Sequence, residues 1–169
     1  MRVLLKTLFV LMGKRFFACF TAAFLFLMPL QAGWAAMDYA KQVLIESDFS
    51  NRDLRGVTFN LTNLLKANLS GSDLEGASLF GAKLQEADLS NTNLTDATLD
   101  SAILEGTNLS NAVLEDAFAF NTRFKDVNIT GADFTNVPMR DDVLGSLCLV
   151  AEGQNSITGR NTKETLGCP

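Results

Sequence analysis

Residues 87–99 read Ala87-Asp88-Leu89-Ser90-Asn91-Thr92-Asn93-Leu94-Thr95-Asp96-Ala97-Thr98-Leu99. Leu89, Leu94 and Leu99 stand five apart, and a small residue precedes each by two: Ala87, Thr92, Ala97. The frame extends in both directions. Every fifth position from Phe49 to Phe134 gives 18 centres, of which 17 are Leu, Phe or Ile; Ala119 departs. Two residues before these centres stands Ala, Ser, Thr or Val in 17 of 18 cases, with Arg52 the exception. The residue between is often Asp or Asn. Neither an α-helix nor a flat strand has a period of five. Each pentapeptide must therefore form one side of a coil and turn a corner before the next.

Four such sides make a square coil of about 20 residues, stacked at strand spacing of about 4.8 Å. The expected fold is an all-β solenoid of about 4.5 coils. Its core ladder runs through Leu69, Leu74, Leu79, Leu84, Leu89, Leu94, Leu99, Leu104, Leu109 and Leu114. The second inward position must be small, because four side chains converge on a narrow axis that overpacking would strain. Gly recurs two residues after the centre, as at Gly71 and Gly106, where a tight corner favours it.

This pattern resembles the pentapeptide-repeat family, with consensus A(D/N)LXX, over Ser47 to Val137. The resemblance implies a right-handed quadrilateral β-helix. The stretch Ile129–Asp142, Leu147-Cys148 and Thr158–Cys168 is similar to small thylakoid-lumen members of plants and cyanobacteria. That similarity implies an exported protein with a disulfide-clipped helical C-terminus.

Four parts follow: an export signal at 1–35, an N-terminal cap at 36–46, the β-helix at 47–137 and a C-terminal helical cap at 138–169. The leader carries Arg2, Lys6, Lys14 and Arg15, an apolar run from Phe16 to Leu30, and the small-x-Ala site Gly33-Trp34-Ala35. Fifteen apolar residues are short for a membrane span, which needs about 20. Cleavage is expected, with no stable membrane insertion afterwards. The leader is too short for a chloroplast transit peptide plus a lumen signal, so a cyanobacterial thylakoid lumen, or periplasm, is the expected compartment.

Four of the 14 Lys and Arg and none of the 19 Asp and Glu lie in the first 35 residues. Ten basic residues then face 19 acidic ones, a net charge of −9, which argues against nucleic-acid binding. Cys19 leaves with the leader. Cys148 and Cys168 remain, an even pair for which a disulfide is the default in an exported chain. Its role is structural or, alternatively, that of a redox switch. At the C-terminus, Asp141–Ala151 has helical apolar spacing, and Asn161-Thr162-Lys163-Glu164 has the form of a helix N-cap.

There is no His, which removes the commonest general base. The repeat accounts for most carboxylates, so no catalytic residue, metal site or cofactor is expected. An acidic face (Asp73, Glu75, Asp96, Glu115, Asp116) reads as solubility and edge protection, with Ca²⁺ or a basic partner as alternatives. Phe80, Phe118 and Phe120 share another face with the broken centre Ala119. They read either as an exposed aromatic patch for a protein partner or as a bulge with a ring turned inward. The expected function is a non-enzymatic structural or interaction module. The alternative from another class is an acidic DNA-mimic regulator of a topoisomerase, which an export signal disfavours.

Overall fold

A computed structural model describes residues 37–169. The expected leader, with Cys19, lies outside the described residues.

Each pentapeptide ends in a tight corner. The centre carbonyl accepts the N–H three residues on, as Leu94 does from Ala97 at 3.0 Å. The residue two after the centre then takes a positive φ, as in a type II turn. Glycine fills six of these corners; thirteen hold other residues, such as Asn91 (φ 56°) and Asp96 (φ 57°). The Asp or Asn before the centre supports the corner by accepting the N–H two residues on. Asp88 does so from Ser90 at 2.9 Å, and Asn93 from Thr95 at 3.1 Å.

The coils stack in parallel register twenty residues apart, from Asp38↔Thr58 through Asn93↔Val113 to Val113↔Asp133. One side widens into paired strands, β1 (Ile103–Glu105) and β2 (Arg123–Lys125). Leu64, Leu69 and every ladder leucine from Leu74 to Leu114 have no exposed surface. The small inward position is equally closed. Where it is polar, its hydroxyl is bonded to a backbone carbonyl: Thr92 to Leu89 at 2.6 Å, Thr107 to Leu84 at 2.8 Å. A buried hydroxyl without such a partner would be destabilising.

The separate lid expected at 36–46 is replaced by further coil. Asp38 and Val43 bridge to Thr58 and Asn63, and Tyr39 and Leu44 take centre positions in the frame. The bulk of Met37 and Gln42 at the small position hides the frame there. Both are exposed, and no described residue stacks on them from outside the column. Arg52, the large residue in the small series from Ser47 onward, is exposed in the same way, and its guanidinium lies 5.5 Å from the Phe49 ring centre. Aromatic rings fill this end. Tyr39 stacks on Phe59 with centroids 5.1 Å apart, and Phe49 meets both edge-on at 5.5 Å.

At the other end the chain leaves the coil at Pro138 and forms α1 (Asp141–Cys148) and α2 (Thr162–Thr165). Asp141 and Asp142 occupy the first turn of α1, and Asn161 caps α2 by accepting from the Lys163 N–H at 3.1 Å. The helix expected through Ala151 stops at Cys148. Beyond it Glu152 returns to the last coil, its carbonyl accepting the Gly131 N–H at 2.8 Å. Val143, Leu147, Ala151 and Leu166 are buried against the end of the column. Cys148 and Cys168 form a disulfide with Cα atoms 5.6 Å apart.

Candidate functional site

Regularity defines the background against which sites are seen. On the side whose centres are Phe59, Leu79, Leu99 and Ala119, outward positions break the polar rule. Phe80, Phe118 and Phe120 are 43–50% exposed, and Ala119 alone turns inward. The inward-bulge reading is thereby excluded, and the aromatic rings lie on the surface. Phe118 follows Thr98 in register, and Phe80, Asp100 and Phe120 occupy one corner position in three successive coils.

Leu61 belongs to the same surface and escaped the sequence reading. It is half exposed, and its Cδ2 lies where a Cβ on Gly81 would come within 2.7 Å. Leu61 also occupies a left-handed corner at φ 57°, a conformation uncommon for a bulky side chain. The signal was present in the sequence: a leucine at the corner position that elsewhere carries Gly, Asn or a charged or hydroxyl side chain.

The corner after Ala119 differs from the rest. Asn121 is the only corner residue outside the positive-φ set among the described pentapeptides. Its backbone N–H and side-chain amide both donate to Asp100 Oδ1, at 3.0 and 3.1 Å. The Ser101 hydroxyl donates to the other oxygen at 3.2 Å. Asp100 is thus fixed between the two phenylalanine corners.

The acidic face is partly neutralised by arginines. Arg55 donates to Asp53 at 2.9 and 2.7 Å, which holds that carboxyl at about 2. Arg160 reaches back from the cap to Glu115 at 3.0 and 2.6 Å and to the Thr135 hydroxyl at 2.7 Å. Its Nε lies 3.0 Å from Oδ2 of the fully buried Asp133, an ion-pair distance out of line for a hydrogen bond. Val113, an apolar residue at a normally polar position, is buried on this covered face. No cluster of metal ligands is assembled among the described residues.

Asn155 is the other residue the sequence did not mark. Its buried amide donates to the carbonyls of Gly131 at 2.9 Å and Ala112 at 3.2 Å. Its Oδ1 accepts from the N–H groups of Ile157 and Thr158. One side chain thus stands in for part of a missing coil. An Asn in a Gly-containing loop carries no sequence signal for that role.

Asp133 makes the cap sensitive to acid. Burial would raise its pKa, but the hydrogen bonds from the Thr135 N–H and hydroxyl and the Arg160 charge outweigh burial and hold it below the usual carboxylate range. The folded value lies below the unfolded one, so the stabilisation is complete above about pH 4 and is lost as pH falls through the folded value. Protection of the Thr135 amide, measured relative to its intrinsic exchange rate at each pH, therefore falls below about pH 4 in the native protein. Asp133→Asn removes that step, and an unchanged acid profile in the variant contradicts the assignment.

The family model for pentapeptide repeats matches residues 43–79, 77–116 and 102–141, in eight copies. This chain belongs to the pentapeptide-repeat family. Its fold is that family's right-handed quadrilateral β-helix. Over 48 residues it is 60% identical to the chloroplastic thylakoid lumenal 15 kDa protein 1 of Arabidopsis thaliana. That match spans 28% of this chain and about a fifth (21%) of the relative. The crystal structure of a pentapeptide repeat protein from the A. thaliana thylakoid lumen aligns with a TM-score of 0.63 and 45% identity, covering 79% of this chain and 86% of that one. HetL, a pentapeptide repeat protein involved in heterocyst differentiation regulation in the cyanobacterium Nostoc, aligns with a TM-score of 0.47 and 27% identity, over 56% and 48% of the two chains.

Proposed function

We propose that this pentapeptide-repeat protein is a non-enzymatic interaction module of the thylakoid lumen or periplasm of a cyanobacterium. The reading is carried by one observation. One side of the column gathers Leu61, Phe80, Phe118 and Phe120 as exposed apolar residues over successive coils, whereas Val43 and Ile45, also exposed, lie on another side at the first described coil. Exposed apolar groups clustered on one face mark contact surfaces. The compartment is supported by the leader and by the thylakoid-lumen location named for the A. thaliana matches. The cap closed by Cys148 and Cys168 suits an oxidising compartment.

Affinity capture from the lumenal fraction tests the surface. Phe80→Ser with Phe120→Ser folds as the native protein does, since neither ring is in the core, and it loses the partner. An unchanged set of captured proteins refutes the surface. Fractionation tests the compartment: the expected result is a processed protein lacking about 35 residues and protected inside the thylakoid or periplasm. An unprocessed cytosolic protein would instead favour the DNA-mimic reading.

A further inference from the structure

We propose that Phe80, Asp100 and Phe120 form a slot for one cationic side chain, an arginine or lysine presented by the protein partner. This rests on the reading of that face as an interaction surface, and it specifies the chemistry the surface selects.

The three residues share a corner position in successive coils, so about 10 Å separates the two phenylalanine backbones, with Asp100 midway. A planar guanidinium between two ring faces needs about 7 to 8 Å between them, which fits within the spacing of two coils. Both rings are exposed. Ring faces carry negative quadrupole potential and attract cations. The floor of the slot is a carboxylate in a fixed position. Asn121 holds Oδ1 with two hydrogen bonds, and Ser101 takes one position on Oδ2, leaving a further acceptor direction for an incoming N–H.

Charge complementarity decides between occupants. A purely apolar segment would bury the Asp100 carboxylate against nothing that pairs with it, which is costly. A cation meets it, and the exported portion, at −9, attracts basic partners generally. Among the twenty positions that follow a centre from Ala40 to Thr135, only 80 and 120 are aromatic, and the residue between them in register is acidic.

The exported protein, produced from the full chain, is titrated with acetyl-Gly-Arg-Gly-amide and with the same peptide carrying citrulline, an uncharged isostere. NMR follows the Phe80 and Phe120 ring protons. The arginine peptide is expected to shift both rings, and citrulline to bind about tenfold more weakly. Asp100→Asn keeps an acceptor for Asn121, so the corner stays intact, yet it should weaken the arginine peptide about tenfold. Equal binding of the two peptides, or an Asp100→Asn protein that binds as the native one does, overturns the slot. If Asp100→Asn retains the captured partner while Phe80→Ser with Phe120→Ser loses it, the slot fails and the interaction surface stands. If both variants retain it, both readings fail.

Discussion

Leu94→Ala lowers the unfolding free energy by about 3 kcal/mol, within the 2–5 kcal/mol typical of a buried leucine truncation. Leu94 has no exposed surface, and neither do Leu74 below it and Leu114 above it in the same ladder. Its lateral neighbours at the inward small position, Thr92 and Ala97, are also fully buried. None can collapse into the space, because the backbone on either side is tied to the adjacent coils by hydrogen bonds such as Leu94 N–H to the Val113 carbonyl at 2.7 Å and Thr98 N–H to the Ala77 carbonyl at 2.9 Å. Denaturant unfolding followed by circular dichroism measures the loss. Leu61→Ala is the control: the same truncation on the surface should change stability by less than about 0.5 kcal/mol. Equal effects at the two sites contradict the ladder as the main source of stability.

The second large effect is at the cap. Cys148→Ser with Cys168→Ser removes a closed loop spanning 20 residues, worth about 3 kcal/mol in the chain-entropy account. The loss is local. Solenoid coils contact only their neighbours, so a terminal element can open while the middle remains folded. Hydrogen exchange in the double variant is expected to rise across α1, α2 and the Asn155 bonds. Protection of amides such as Leu89 and Leu94 should persist, since they pair with Asn108 and Val113 well inside the column. Uniform loss of protection would show that the cap and column unfold as one unit. Unchanged protection at α1 would show that apolar burial of Val143, Leu147 and Leu166 suffices without the crosslink.

The column was legible because its physics repeats: the requirement for a large inward residue, a small one and a corner former recurs every five residues. Legibility failed where one condition lapsed. At Met37 and Gln42, which no described residue covers, the small-residue rule is relaxed, so the frame upstream of Phe49 was hidden. The pairing of Cys148 with Cys168 could be read from the number and position of cysteines. The reach of Arg160 to Glu115 and Asp133 could not, since sequence separations of 45 and 27 have no periodic basis. The aromatic patch was visible as a departure from the repeat, but its fixed carboxylate became visible only through the altered corner at Asn121.

The twenty-residue register has a genetic consequence. Inserting one residue anywhere between Asp38 and Val137 shifts every later inward side chain out of phase. Five inserted residues restore the phase but turn everything downstream by a quarter revolution. The cap, with its grip on Glu115 and Gly131, would then move to the side adjacent to its present one relative to Phe80 and Leu61. Only a change of 20 residues preserves both phase and facing. Descendants of such a gene can lengthen or shorten without rewiring their surfaces only in whole coils, so the number of coils is inherited as an integer.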